Sequence, residues 1–234
     1  MRAILIDLET WPALTPEMRE SIRAELEAEA AEVKAPKNYK DETKIAAYVE
    51  AERKRILDKA GDINDKAALK KITGAICLVT IGSLDGPDDK IVQMSAPALT
   101  DERKCIDEAL CYLSIKDTGA QIVTYNGTEF DLPFLKFRAM SRRVSSPWPI
   151  PRSKDWTRHL DLYLDLGKPG TLDQCALAIL GRGKGEITGA DVPRLWASGP
   201  EGQEKVREYA RNEMELLIGI YRAYREVTMP ELLK

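Results

Sequence analysis

Two apolar runs rich in β-forming residues, Arg2 to Leu8 (RAILIDL) and Gly74 to Ser83 (GAICLVTIGS), are separated by a long stretch with almost no strand character. From about Thr15 to Lys71 the chain is dominated by Ala, Glu, Lys and Arg at helical spacing. A sheet that contains the first run must therefore accommodate a helical excursion before its next strand. Thr15-Pro16-Glu17 makes a helix start, with a threonine cap and a proline in the first turn. That helix is predicted to reach about Val33, where Ala35-Pro36-Lys37-Asn38 interrupts it. A second helix covers about Glu42 to Ala60, and a shorter one lies near Asp65 to Lys71. Acidic and basic residues nearly balance here, so residues 13–72 read as a solvated helical insertion rather than a nucleic-acid clamp.

Short strands and helices then alternate. GAICLVTIGS, an Asp85-Gly86-Pro87 turn and Lys90 to Ser95 (KIVQMS) predict an antiparallel hairpin. Thr100 to Leu113 is a predicted amphipathic helix, and Gln121 to Tyr125 a short buried strand. Asp131 to Met140 is a helix with Pro133 in its first turn. Arg158 to Leu166 holds a fifth strand, Thr171 to Leu180 a helix, and Gly202 to Val227 the last helix. This order suits a mixed α/β layer fold in which helices flank a central sheet, residues 1–234 forming a single domain with the insertion inside it.

Composition removes several classes of function. A length of 234 residues with 44% hydrophobic content suffices for one sizeable core. The net charge of -3 excludes a protein coated in basic residues, so contact with nucleic acid needs a local basic surface or metal ions that offset phosphate charge. Cys77, Cys105, Cys111 and Cys175 form no CxxC pair, and they read as reduced thiols packed as small hydrophobes in a cytoplasmic compartment. No signal peptide opens the chain, and no apolar stretch approaches the roughly 20 residues that cross a bilayer. The single histidine, His159, rules out a zinc site of several histidines and reads as a packing residue. No Gly-x-Ser-x-Gly elbow accompanies it, which removes serine-hydrolase chemistry of that type.

Three short motifs carry chemistry. Asp7 and Glu9 are two apart on a predicted strand, so both side chains leave one face. Carboxylates held that close repel each other unless a cation neutralises them, and hard divalent cations prefer oxygen ligands. Asp131 ends the run Tyr125-Asn126-Gly127-Thr128-Glu129-Phe130-Asp131, where it either caps the following helix or is projected toward the first pair. Tyr209 and Glu213 stand four apart on a helix and so share a face.

Taken together and in this order, the motifs resemble the exonuclease superfamily with a ribonuclease-H-like fold and four acidic ligands. More narrowly, the chain is similar to its tyrosine-bearing (DEDDy) branch, which includes the proofreading domains of B-family DNA polymerases and stand-alone phage or bacterial relatives. The similarity covers Met1 to Trp11 and Gly74 to about Val227, and the Tyr125 to Leu135 run is its most specific part. The resemblance implies a five-stranded mixed sheet flanked by helices, with the helical insertion after the first strand. It implies a metal-dependent 3'-5' exonuclease that releases nucleoside 5'-monophosphates from the 3' ends of DNA, single-stranded ends above all. Two divalent ions, Mg²⁺ or Mn²⁺, would be held by Asp7, Glu9, Asp131 and Glu213, and Tyr209 would orient the attacking water. Leu8, Thr10, Asn126 and Phe130 flank these ligands and would contact terminal nucleotides, with Phe130 either stacking on a base or packing as plain core, and Lys184 would contact a phosphate. The implied setting is a bacterial or phage-infected cytoplasm, with a separate polymerase or replication protein as a partner. An RNA-directed exonuclease of the same fold and a catalytically weak nucleic-acid-binding module are the alternatives. In one position the chain departs from the family pattern, carrying Glu213 where the family has aspartate. A further stretch, Lys136 to Arg158, has seven cations with Trp148 and Trp156 among them, a composition suited either to a single-strand groove or to a solvated loop.

Overall fold

The protein is described from a computed structural model that covers residues 2–84, 89–116, 119–151 and 158–228, with the backbone alone over 59–66. It divides into two units, one formed by Met1–Trp11 with Ala75–Lys234, the other by Pro12–Gly74. The first unit is built on a five-stranded sheet. Its strands are β1 (Ala3–Pro12), β2 (Gly74–Leu84), β3 (Lys90–Ser95), β4 (Gln121–Thr124) and β5 (His159–Asp161). They lie side by side in the order β3-β2-β1-β4-β5. β2 and β3 pair antiparallel, whereas β1 pairs parallel with β4 and β4 parallel with β5. The sheet is therefore mixed.

Burial on both faces explains the near-continuous apolar runs of β1 and β2. On one face Ile4, Ile6 and Leu8 pack with Ile106 and Leu110 of α3 (Glu102–Lys116) and with Leu132 and Phe134 of α4 (Asp131–Ser141). On the other, Ala3, Leu5 and Val123 pack with Met214, Leu217 and Tyr221 of the 29-residue helix α8 (Pro200–Thr228). The cysteines Cys77, Cys105 and Cys175 are buried among such residues as free thiols, and Cys111 is exposed.

The other unit is a helical pair, α1 (Pro16–Ala31) and α2 (Glu42–Lys66). Thr15 caps α1 by accepting from Met18 N–H, and Asp41 caps α2. Leu26, Ala30 and Ile56 form its small core. Ala13 N–H donates to Thr73 O at 2.8 Å, so the segment leaves and returns at adjacent points.

Two expectations are corrected and one helix is added. The short helix near Asp65 to Lys71 does not stand alone: α2 runs through to Lys66, and only a 3-10 turn over Ala67–Leu69 follows. The fifth strand ends at Asp161, because that carboxylate accepts from Tyr163 N–H and starts the one-turn helix α5 (Leu162–Asp165). Between α6 (Leu172–Leu180) and α8 lies α7 (Val192–Ala197), a six-residue helix opened by Pro193 that the periodicity did not predict. The Asp85-Gly86-Pro87 turn lies outside the described residues. Among the described residues no helix is long and apolar enough to cross a membrane.

Candidate active site

Strand parity decides where the acidic pair points. Asp7 and Glu9 continue the Ala3, Leu5 series, so they leave β1 on the face covered by α8. The buried face of α8 carries Val206, Tyr209, Ala210, Glu213, Met214 and Leu217 at helical spacing. Glu213 is thereby delivered to the pair. One carboxylate oxygen from each of Asp7, Glu9 and Glu213 lies within 4.8 Å of the others. Glu9 and Glu213 are only 7% and 6% exposed. Asp7 is half-buried, but its Oδ2 is fully enclosed and has no hydrogen-bond partner. An unpaired, enclosed carboxylate oxygen facing two further carboxylates is costly in a metal-free protein. A hard cation with oxygen preference suits that donor set, so the residues fit a divalent ion.

Asp131 reaches the same place from β4. The chain turns sharply after Thr124: Asn126 adopts a left-handed conformation (φ 66°), and a Cβ on Gly127 would lie 2.5 Å from the Thr124 side chain. α4 begins at Asp131 itself, with Phe130 at the cap position and no side-chain cap bond. The capping expectation is therefore corrected. Asp131 Oδ1 instead accepts Leu8 N–H at 3.0 Å, tying the second motif to the first across 123 residues. The set of three oxygens within 4.8 Å does not include Asp131, which stands beside it on the β1 backbone.

Burial dominates the electrostatics. It pushes Glu9 and Asp131 well above the ordinary carboxylate range, and the Asp7 charge pushes both the same way. Asp7 is raised by burial and held back by Lys184 and by Leu8 N–H. The Lys184 ammonium is half-buried, ion-paired with Glu213 and 5.7 Å from the centre of the Tyr209 ring. Burial lowers its pKa, and Asp7 and Glu9 oppose that shift. Tyr209 is 5% exposed, and burial followed by the Glu9 and Asp7 charges raises its phenol above the usual value. A phenol raised in this way keeps its proton at neutral pH.

Motif reading missed the parts that hold Lys184. Its backbone N–H donates to Asp173 Oδ1 at 2.6 Å, and its carbonyl accepts from Asn212 Nδ2 at 2.7 Å. The Gly183-Lys184-Gly185 spacing was the available signal, since a Cβ on Gly183 would meet Asp173 Oδ1 at 2.5 Å. A cleft of about 480 Å³ adjoins the carboxylates, lined among others by Asp7, Glu213, Lys184, Asn126, Tyr125 and Thr171.

Other expected contacts divide. Leu8 is buried in the core with Ile106, and the half-buried Phe130 packs against that core beside Phe134. Thr10 is buried on β1. Arg138 and Arg142 do not line a groove. Both pair with Glu102, which is fully buried and also accepts Ile76 N–H at 2.9 Å. Trp148 is 1% exposed and belongs to the core. Lys136 and Arg143 are exposed, whereas Arg152, Lys154 and Trp156 lie outside the described residues. His159 is buried, with Nε2 2.8 Å from Thr124 Oγ1.

A mixed five-stranded sheet flanked by helices, with Asp7 and Glu9 on its central strand facing Glu213 of α8, has the layout of the ribonuclease-H-like fold. The chain belongs to the family of predicted 3'-5' exonucleases related to the exonuclease domain of PolB, which it matches over residues 66–217. That span holds Asp131, Lys184, Tyr209 and Glu213, while Asp7 and Glu9 precede it. A DNA polymerase of Pyrococcus glycovorans is 28% identical over 146 residues, a match that covers 54% of this chain and 18% of the polymerase. The family B DNA polymerase of Pyrobaculum calidifontis superposes with a TM-score of 0.59 at 16% identity. That superposition covers 95% of this chain and 24% of the polymerase, and it establishes likeness of fold.

Proposed function

We propose that the protein hydrolyses DNA from single-stranded 3' ends to nucleoside 5'-monophosphates, as one exonuclease domain that carries the Pro12–Gly74 unit as an insertion. The convergence of Asp7, Glu9 and Glu213 within 4.8 Å, with Asp7 Oδ2 enclosed and unpartnered, carries this reading. Asp7, Glu9, Glu213 and Asp131 would hold two divalent ions, Mg²⁺ or Mn²⁺. When bound, the ions supply an activated water and offset the charge that builds on phosphorus and on the leaving 3'-oxygen.

The chain's own residues do the rest. Burial keeps Glu9, Asp131 and Glu213 largely out of bulk water, so their charges are less screened and act more strongly on a bound cation. Asp131 holds its place through Leu8 N–H, so its position follows the backbone of β1. Tyr209 keeps its phenolic proton at neutral pH and can orient the attacking water by hydrogen bonding. Lys184 stands beside Glu213 with a flexible ammonium, placed to meet a non-bridging phosphate oxygen once the carboxylates are neutralised. Asn126 lines the cleft that would receive the terminal nucleotide. Thr10 and the exposed Lys136 and Arg143 remain candidate strand contacts.

End-labelled single-stranded DNA incubated with Mg²⁺ or Mn²⁺ is expected to shorten stepwise from the 3' end. Absence of shortening with either metal at high protein concentration overturns the proposal. Preference for a matched RNA strand would retain the chemistry and reassign the substrate.

A further inference from the structure

Asp161 closes β5 and is completely buried, yet the chemistry above makes no use of it. Its carboxylate accepts three backbone N–H groups. Oδ1 takes Asn126 at 2.8 Å and Tyr163 at 3.1 Å, and Oδ2 takes Thr128 at 2.9 Å. The Tyr163 bond starts α5. The other two bonds hold the connection between β4 and α4, the segment that carries Asn126 to the cleft and ends at Asp131.

That connection would not keep its shape unaided. Asn126 sits at φ 66°, a region a non-glycine residue occupies only when its surroundings hold it there. Gly127 is pressed on the Thr124 side chain, and Thr124 is the strand partner of Asp161 in the β4–β5 register. Four residues after Gly127, Asp131 reaches back to Leu8 N–H. The segment is thus fixed at its start by Asp161 and at its end by β1, with the left-handed residue between β4 and the second bond.

We propose that Asp161 is a positioning residue for the acidic site: by clamping the N–H groups of Asn126 and Thr128 it sets where the loop delivers Asp131 and how Asn126 faces the cleft. The inference rests on the exonuclease reading of the cluster. A carboxylate is required because three donors meet two oxygens, and an asparagine must turn an NH₂ toward one of them. Asp161→Asn can keep both Oδ1 bonds and so keep the start of α5, while the Thr128 tie becomes donor against donor.

The test uses the full chain and a probe that does not need turnover: free Mn²⁺ followed by electron paramagnetic resonance, beside kcat and KM on end-labelled single-stranded DNA. Asp161→Asn is expected to melt cooperatively, to bind Mn²⁺ about tenfold more weakly, the low end of the loss when a direct partner of a metal ligand is removed, and to recover part of its kcat at high Mn²⁺. Gly127→Ala, which disturbs the same loop from its other side, is expected to do the same. Leu113→Ala, a core truncation at the far end of α3, serves as a control that loses stability and keeps wild-type Mn²⁺ affinity. Wild-type Mn²⁺ affinity in either loop variant that folds overturns the inference. So does failure of both to fold under conditions where Leu113→Ala folds, because Asp161 is then merely structural. If the wild type binds Mn²⁺ but shortens no DNA, the exonuclease reading fails while the Mn²⁺ comparison still decides the role of Asp161.

Discussion

Glu213 is longer by one methylene than the aspartate of the family pattern, and the structure shows how it is housed. Its carboxylate joins Asp7 and Glu9 on one side and the Lys184 ammonium on the other. Mg²⁺ demands near-ideal octahedral geometry, so the extra reach bears most on that ion. Glu213→Asp is expected to show equal or higher Mg²⁺-supported activity than the wild type; complete loss would mean the site is adapted to glutamate. Asp7→Ala should separate function from stability. It removes an enclosed, unpartnered oxygen and a charge that raises Glu9 and Asp131, so the metal-free protein should melt no earlier than the wild type. Turnover should nevertheless fall about a hundred- to a thousandfold, the scale on which preorganised electrostatic groups act. The same crowding sets a pH dependence. Glu9 and Asp131 have folded-state pKa values above their ordinary 4.5 and 3.8, so the folded state binds more protons than the unfolded one above that range. With chelator present, stability should therefore be greatest near and below pH 4–4.5 as far as these groups are concerned. It should decline as pH rises through the raised values, a slope that saturating Mn²⁺ should flatten in thermal melts. An unchanged slope with Mn²⁺ would separate the ion from these carboxylates.

Among the elements, α4 shows why a local pattern can mislead. Its cations read as groove candidates, but Arg138 and Arg142 converge with Ile76 N–H on Glu102 at the start of α3. Nothing local to residues 136–143 announces a partner that lies more than thirty positions away in the chain. Glu102→Ala leaves two guanidinium groups without their carboxylate, one of them buried; it should cost about 3–5 kcal/mol in denaturant unfolding, the usual penalty for breaking a buried pair. A loss below about 1 kcal/mol would instead place this cluster with surface ion pairs. The elements that were legible, β1, the β2–β3 hairpin and α8, carry long periodic patterns of their own. Asp-x-Glu on a buried strand and Tyr-x-x-x-Glu on a buried helix face transmit their geometry directly from spacing. The end of β5 and the short helices α5 and α7 were not legible for a physical reason: they are set by tertiary hydrogen bonds and packing, such as Asp161 accepting from three amides, rather than by period. Asp131 is an intermediate case, its identity readable from the motif and its partner, Leu8 N–H, readable only in the fold.

For the molecule as a whole, the division at Pro12–Gly74 has a direct test. That unit has its own core in Leu26, Ala30 and Ile56, and it departs and returns at points joined by the Ala13–Thr73 bond. Replacing residues 12–74 with a short glycine-containing turn should leave a cooperatively melting protein whose melting temperature still rises with Mn²⁺. Loss of cooperative melting would show that the sheet depends on the insertion. One consequence of the site's construction concerns time rather than space. Asp7 and Glu9 are made first, Asp131 joins them only after β4 has taken its place beside β1, and Glu213 arrives on the last helix described. A ribosome therefore holds the Asp7/Glu9 pair without its third carboxylate for the roughly two hundred residues that separate them from Glu213. The cluster closes only when α8 has emerged and docked, so translation must pass Glu213 before the ligand set can assemble.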